Sequence, residues 1–195
     1  MKSYFEPSEL IINSDGSVFH LHVRPEQLAD KVILVGDPGR VPMVASFFDE
    51  KECDVQSREF RTITGRFQGK RITVVSTGIG CDNIDIVLNE LDALANIDFE
   101  TRTVKPQLRQ LELVRIGTCG GLQPNTPEGT FVASVKSIGF DGLLNFYAGR
   151  NEVCDLAMEK AFVQHMGWQG AQCIAHPYII DADKELIKRV ASDDM

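Results

Sequence analysis

Leu113-Val114-Arg115-Ile116-Gly117-Thr118-Cys119-Gly120-Gly121 is the stretch that decides the fold. Its Val- and Ile-rich start reads as a buried strand, and its glycines let the chain turn sharply and let another molecule come close. Arg115 stands just before the turn, where an ordinary core strand would carry another aliphatic residue. Its side chain therefore leaves at the carboxyl end of the strand, where open α/β sheets place ligands. Two readings of Arg115 stand here: a buried arginine paired with a core carboxylate, or a cation held for an anionic ligand.

The same arrangement recurs upstream. Lys31-Val32-Ile33-Leu34-Val35-Gly36-Asp37-Pro38-Gly39-Arg40 is a strand running into a glycine turn, and Pro42 suits the first turn of a helix through Met43, Val44, Phe47 and Phe48. Arg40 then lies near the positive end of a helix dipole, unfavourable by a few tenths to about 1 kcal/mol unless an anion reverses the sign. The alternative is an exposed Arg40 with its head in water. Arg71-Ile72-Thr73-Val74-Val75-Ser76-Thr77-Gly78-Ile79-Gly80 is the third instance. The helix after it carries one apolar stripe of Ile84, Val87, Leu88, Leu91, Leu94 and Ala95, with Asp82 able to cap its start. None of the three turns fits G-x-G-x-x-G, so the dinucleotide fingerprint is absent.

Composition narrows the function. The 195 residues, 43% hydrophobic, suit a single domain over 1–195 with a sizeable core. A net charge of -8 argues against a nucleic-acid or anionic-membrane partner, so any bound anion must be held by a few placed cations. Five scattered cysteines (53, 81, 119, 154 and 173) with no C-x-x-C pair fit free thiols in a reducing compartment and give no zinc site. Met1–Glu9 is no secretory signal, and no run is long enough to cross a bilayer, so a soluble, cytoplasmic protein is expected.

The remaining stretches are less specific. Residues 1–17 read as a polar arm, and the alternation of Val18 to Val23 predicts a short strand with His20 and His22 on one face. An H-x-H pair can bind metal, but without a third ligand at a clear spacing no metal site is expected. Residues 61–70 alternate like hairpin strands, and Arg58-Glu59 before them reads by itself as a surface pair of little energetic weight. Asn96 to Gln110 is a connection. Thr130 to Val135 predicts a strand, Phe140 to Tyr147 a packed aromatic segment, and 154–166 and 182–191 helices, the last with Leu186, Ile187 and Val190 inward. The chain stops just after a helix, where an α/β sheet would be expected to continue, so the domain reads as unfinished at its C-terminus.

Together these motifs resemble the nucleoside phosphorylase family, of the uridine phosphorylase type. The resemblance rests on Phe19-His20-Leu21, Gly36-Asp37-Pro38-Gly39-Arg40, Ser57-Arg58-Glu59-Phe60, Ser76-Thr77-Gly78-Ile79-Gly80 and Arg115 to Gly121, in the family's order over most of residues 18–145. It implies an α/β fold with a mixed, partly parallel central sheet flanked by helices. It further implies that Gly36, Arg40, Arg58, Arg115 and Thr118 bind inorganic phosphate, with Arg115 and Thr118 as catalytic residues. Thr118 would also meet ribose, Cys119 and Gly120 the base, and His20 the sugar's primary hydroxyl. His20 and Arg58 would serve the neighbouring subunit of a homodimer or hexamer. The implied reaction is phosphorolysis of a pyrimidine nucleoside, uridine and phosphate giving uracil and ribose 1-phosphate, in nucleoside salvage. Phosphate is a co-substrate, and no cofactor or metal is implied. The alternatives are a purine nucleoside phosphorylase, a nucleosidase using water, or a non-catalytic phosphate- or nucleoside-binding fragment. Members of the family continue well beyond residue 195 with the segments that read the base and the ribose hydroxyls, so the chain is expected to be a fragment lacking them.

Overall fold

A computed structural model describes residues 4–170 and 175–191, which form two compact units, Met1–Cys119 and Gly120–Met195. Each is built around its own sheet.

In the first unit β1 (Lys31–Val35), α1 (Arg40–Ala45), β2 (Glu50–Ser57), β3 (Phe60–Phe67), β4 (Lys70–Ser76) and α2 (Cys81–Asn96) follow one another. A two-residue hairpin, β5 (Ile97–Asp98) and β6 (Thr103–Val104), precedes β7 (Glu112–Ile116). The main sheet runs β2-β3-β4-β1-β7. Its β4, β1 and β7 are parallel, while β2 and β3 join antiparallel, which is the mixed sheet expected. Alternation along β1 sends Val32 and Leu34 into one core with α2 and sends Val35, with Ile33 beside it, into another with Val41 and Ala45 of α1. The α2 stripe buries Val87, Leu91, Leu94 and Ala95 as its period requires, while Leu88 faces out.

Three local expectations are corrected in this unit, and one element is added. Val18 to Val23 is a tight turn and not a strand: Val18 makes one bridge to Ile12, and His22 N–H returns to the Val18 carbonyl with φ +53°. The cause is a carboxylate from α2, described below, that takes the N–H groups a strand would have offered to a neighbour. Asp82 does not cap α2, whose N-cap is Gly80 at φ +99°, a conformation that favours glycine. The first helix closes at Ala45 and leaves Phe47 outside it, 72% exposed. The polar residues Glu50–Ser57 supply a strand, because β3 beside them offers a complete antiparallel ladder. The N-terminal arm is fastened to the β5–β6 hairpin, where the Arg102 guanidinium donates to the carbonyls of Phe5, Glu6 and Leu10.

The second unit holds β8 (Lys136–Gly139), α3 (Arg150–Val153), α4 (Leu156–His165), β9 (Tyr178–Asp181) and α5 (Lys184–Val190), with β8 and β9 antiparallel. Asp155 and Asp183 cap α4 and α5, so both expected helices form. The strand expected over Thr130 to Val135 is absent, and pairing begins at Lys136, whose ammonium meets Asp155 and Asp181. Phe140 packs on Phe162 and Trp168, but Phe146 is 88% exposed and Val190 faces out, against the inward packing expected. Cys53, Cys119 and Cys154 are free thiols, and Cys173 lies outside the described residues. Among the described residues no helix is long and apolar enough to cross a membrane.

Candidate functional site

Registers align the three glycine turns. Val35 at the end of β1 pairs with Ser76 of β4 and with Ile116 of β7, so the three parallel strands end level. At about 4.8 Å between neighbouring strands, their carboxyl ends span roughly 10 Å. The turns also touch: Thr77 N–H donates to the Val35 carbonyl at 2.8 Å, and a Cβ at Gly36 would lie 3.9 Å from the Gly78 carbonyl. The β2–β3 turn reaches the same edge, since Thr62 pairs with Val75, Ser76 Oγ donates to the Glu59 carbonyl, and Gly78 packs against Glu59.

Gly36, Arg40, Arg115 and Thr118 follow from this edge. Gly36 opens the β1 turn, where Asp37 folds back to accept from Gly39 N–H at 2.8 Å. Arg40 is the first residue of α1, on the face of the sheet covered by Val41 and Ala45. Arg115 is the register partner of Leu34 and so leaves the opposite face. Its guanidinium then turns along the strand toward the edge: a Cβ at Gly117 would come within 2.5 Å of Nη1. Arg40 and Arg115 thus flank one crest from its two faces. Thr118 and Cys119 follow in the exposed loop, and Gly120, also exposed, opens the second unit.

Arg58 makes a different contact. It occupies the β2–β3 turn at φ +54°, and its guanidinium rests 5.4 Å from the ring centroid of Phe19, a cation–π contact. Phe19 in turn meets the His20 ring edge-on at 4.9 Å. The chain therefore gathers two sets, Arg40 with Arg115 at the strand ends, and Arg58 with His20 around Phe19.

The electrostatics separate these arginines from the others. In the first unit Arg24, Arg61, Arg66, Arg71 and Arg109 each hold a carboxylate, and Arg102 holds backbone carbonyls. Among the described residues Arg40, Arg58 and Arg115 have no oxygen partner. Unpaired guanidiniums gathered on the ligand-bearing edge of an α/β sheet are suited to an oxyanion, through bidentate, charge-assisted hydrogen bonds.

One functional candidate carried no flag in the sequence reading. Glu90, 8% exposed on the buried face of α2, accepts from the backbone N–H groups of His20 and Leu21 and meets His20 Nδ1 at 2.7 Å. The signal was available: Glu90 falls three residues after Val87 and four before Leu94, inside the apolar stripe.

Residues 30–193 match the family model described as the phosphorylase superfamily. The chain belongs to that superfamily. Among curated relatives, a uridine phosphorylase of Thermococcus kodakarensis is 30% identical over 167 residues, covering 84% of this chain and 55% of that protein. A guanosine phosphorylase of Halorubrum lacusprofundi is 31% identical, covering 66% of this chain and 47% of that protein. The chain thus spans about half the length of the curated relatives it matches. Among solved structures, a Trypanosoma brucei nucleoside phosphorylase described as showing uridine phosphorylase activity superposes with a TM-score of 0.80 at 30% identity, covering 93% of this chain and 60% of that one. The mixed sheet with flanking helices is the phosphorylase fold.

Proposed function

We propose that this chain carries the phosphate-binding part of a nucleoside phosphorylase, with uridine as the preferred nucleoside. The observation that carries the proposal is the pair of carboxylate-free arginines, Arg40 and Arg115, on the two faces of one strand-end crest. Inorganic phosphate docks there, against the Gly36 loop and Thr118. Each charge-assisted contact is worth roughly 1.5–3 kcal/mol net. The arginines orient the dianion and strip it of water. Phosphate oxygen then forms a bond to the anomeric carbon as the bond from that carbon to the base nitrogen breaks. The electron pair leaves with the base, which takes up a proton, and the other product is the sugar 1-phosphate. Positive charge developing on the sugar is met by the bound dianion, so no side-chain nucleophile, cofactor or metal is required.

Arg58 and His20 act as a second set on the neighbouring subunit of a homodimer or larger assembly. Arg58 joins the phosphate, His20 takes the sugar's primary hydroxyl, and Cys119 and Gly120 line the approach to the base. The enzyme works in cytoplasmic nucleoside salvage. Chromatography of the purified protein with uridine tests the reading. Uracil release that requires phosphate supports it, and undiminished release without phosphate makes the protein a hydrolase. Phosphate binding in calorimetry with no turnover of any nucleoside would make it a binding module.

A purine substrate is the second reading, favoured by the guanosine phosphorylase relative at nearly the same identity as the uridine phosphorylase. The ratio of kcat/KM for uridine to that for inosine or guanosine decides between them.

A further inference from the structure

We propose that Glu90 is the positioning residue for His20, holding Nδ1–H so that Nε2 is turned out as a hydrogen-bond acceptor. The proposal rests on the phosphorolytic reading above and names the residue behind one of its contacts. Glu90 is a carboxylate on an otherwise apolar helix face, beside Val87, Leu91 and Leu94, and it stays there because its two oxygens are occupied. Oε2 accepts from Leu21 N–H at 2.9 Å and from His20 N–H at 3.2 Å. Oε1 accepts from His20 N–H at 2.9 Å and lies 2.7 Å from Nδ1. An ionised carboxylate only accepts, so the neutral imidazole facing it carries its proton on Nδ1. Nε2 then offers a lone pair to a hydroxyl, the sugar's primary hydroxyl in the proposed reaction. Phe19, edge-on to the ring at 4.9 Å, restrains its tilt.

A purely structural Glu90 would tie the 18–23 turn to α2 through the two backbone N–H groups alone. The imidazole contact separates the roles. In Glu90→Gln the amide has one acceptor and one donor end. With its oxygen in the place of Oε2, on Leu21 N–H and the longer His20 N–H contact, its NH2 takes the place of Oε1 and faces Nδ1, which must then accept, moving the ring proton to Nε2 at the loss of the shorter His20 N–H bond.

Long-range proton–nitrogen correlation spectra of the protein, with His20→Ala to assign the signals, read the tautomer directly. The expected result is Nδ1–H in the wild type and a shift toward Nε2–H in Glu90→Gln. A wild-type ring protonated on Nε2 overturns the proposal without any variant. Kinetics give the second readout: Glu90→Gln raises KM for uridine about fivefold, the loss of one neutral hydrogen bond, and leaves KM for 5′-deoxyuridine unchanged. Equal losses on both substrates refute the positioning role. A wild type that turns over neither substrate sinks the phosphorolytic reading instead, and the tautomer still decides the role of Glu90.

Discussion

The two ends of the main sheet handle charge in opposite ways. At the end where β1, β4 and β7 begin, most charged side chains at the seam are matched, the exposed Lys70 at the start of β4 being an exception. Lys31 pairs with Glu112, Arg109 with Asp30, and Glu52 is shared by Arg66 and Arg71. Arg71 also donates to the Leu28 and Glu26 carbonyls at 3.0 and 2.7 Å. At the other end Arg40 and Arg115 stand beside glycine turns with no carboxylate among the described residues. The residue type is the same, but one end uses arginine to close the structure, and at the other Arg40 and Arg115 have no oxygen partner among the described residues. Substitutions at the two ends should therefore fail in different assays.

The largest effect is expected at the open end. Arg115→Ala, and separately Arg40→Ala, should lower kcat/KM for phosphate by about ten- to a hundredfold, one charge-assisted contact each. Stability in urea should stay within about 0.5 kcal/mol of wild type, since neither side chain has an oxygen partner to lose among the described residues. Parallel losses of stability and activity would turn these arginines back into structural ion pairs. Arg71→Ala is the converse and comes next. Removing a guanidinium that serves Glu52 and two carbonyls should destabilise by about 1–3 kcal/mol while KM for phosphate does not move.

How much of this was legible in sequence follows from what each segment depends on. The three strand-turn units are local: a Val/Ile run and its glycines carry the message, and β1, β4 and β7 all form, although β7 is an edge strand with Ile116 exposed and not the buried strand expected. Arg115 stands out locally as a cation in an apolar run and Arg40 as a cation at a helix start, and both fall at the strand ends, as their positions in sequence imply. Val18 to Val23 alternates like a strand but bends into a turn because Glu90, some seventy residues on, takes its N–H groups. No local pattern contains that partner. β2 is polar along its length and becomes a strand only because β3 pairs with it. In the second unit β8 forms at Lys136–Gly139, where the chain meets β9 some forty residues on, and Thr130 to Val135 stays outside that ladder. Taken alone Arg58 reads as one of a surface pair, with a role given only by the resemblance, and its contact with Phe19 needs the turn and the N-terminal segment to meet in space.

A smaller effect sharpens the picture of the open end. Gly117→Ala puts a methyl carbon where Arg115 Nη1 lies, at 2.5 Å. The guanidinium is the far end of a flexible side chain, so it moves aside and the fold keeps its stability. KM for phosphate should rise several-fold, less than on removing Arg115 outright. Gly36→Ala provides the comparison, because nothing but the Gly78 carbonyl at 3.9 Å is near its Cβ position. With the protein indifferent, a loss of phosphate use there reports the ligand pressing on the loop. Unchanged phosphate kinetics in both variants would move the anion away from this crest.

The smallest effect concerns Arg61, which lies near the open end yet is already partnered. Its Nε and Nη2 donate to the two oxygens of Asp54 at 3.0 and 2.8 Å across β2 and β3. These hydrogen bonds hold the Asp54 carboxyl below its ordinary range, against a smaller opposing effect of burial. Because the native value is depressed, the pair contributes fully above the unfolded value of about 3.9 and is lost as pH falls through the native one. Both groups are well hydrated, so the contribution is only a few tenths of a kcal/mol. Asp54→Asn should flatten the acid limb of the stability curve by that amount and leave phosphate kinetics at neutral pH untouched. If releasing Arg61 instead tightens phosphate binding, then the carboxylate had been holding a fourth guanidinium away from the anion, and the division of arginines into closing and open sets would run through the edge itself and not between the two ends of the sheet.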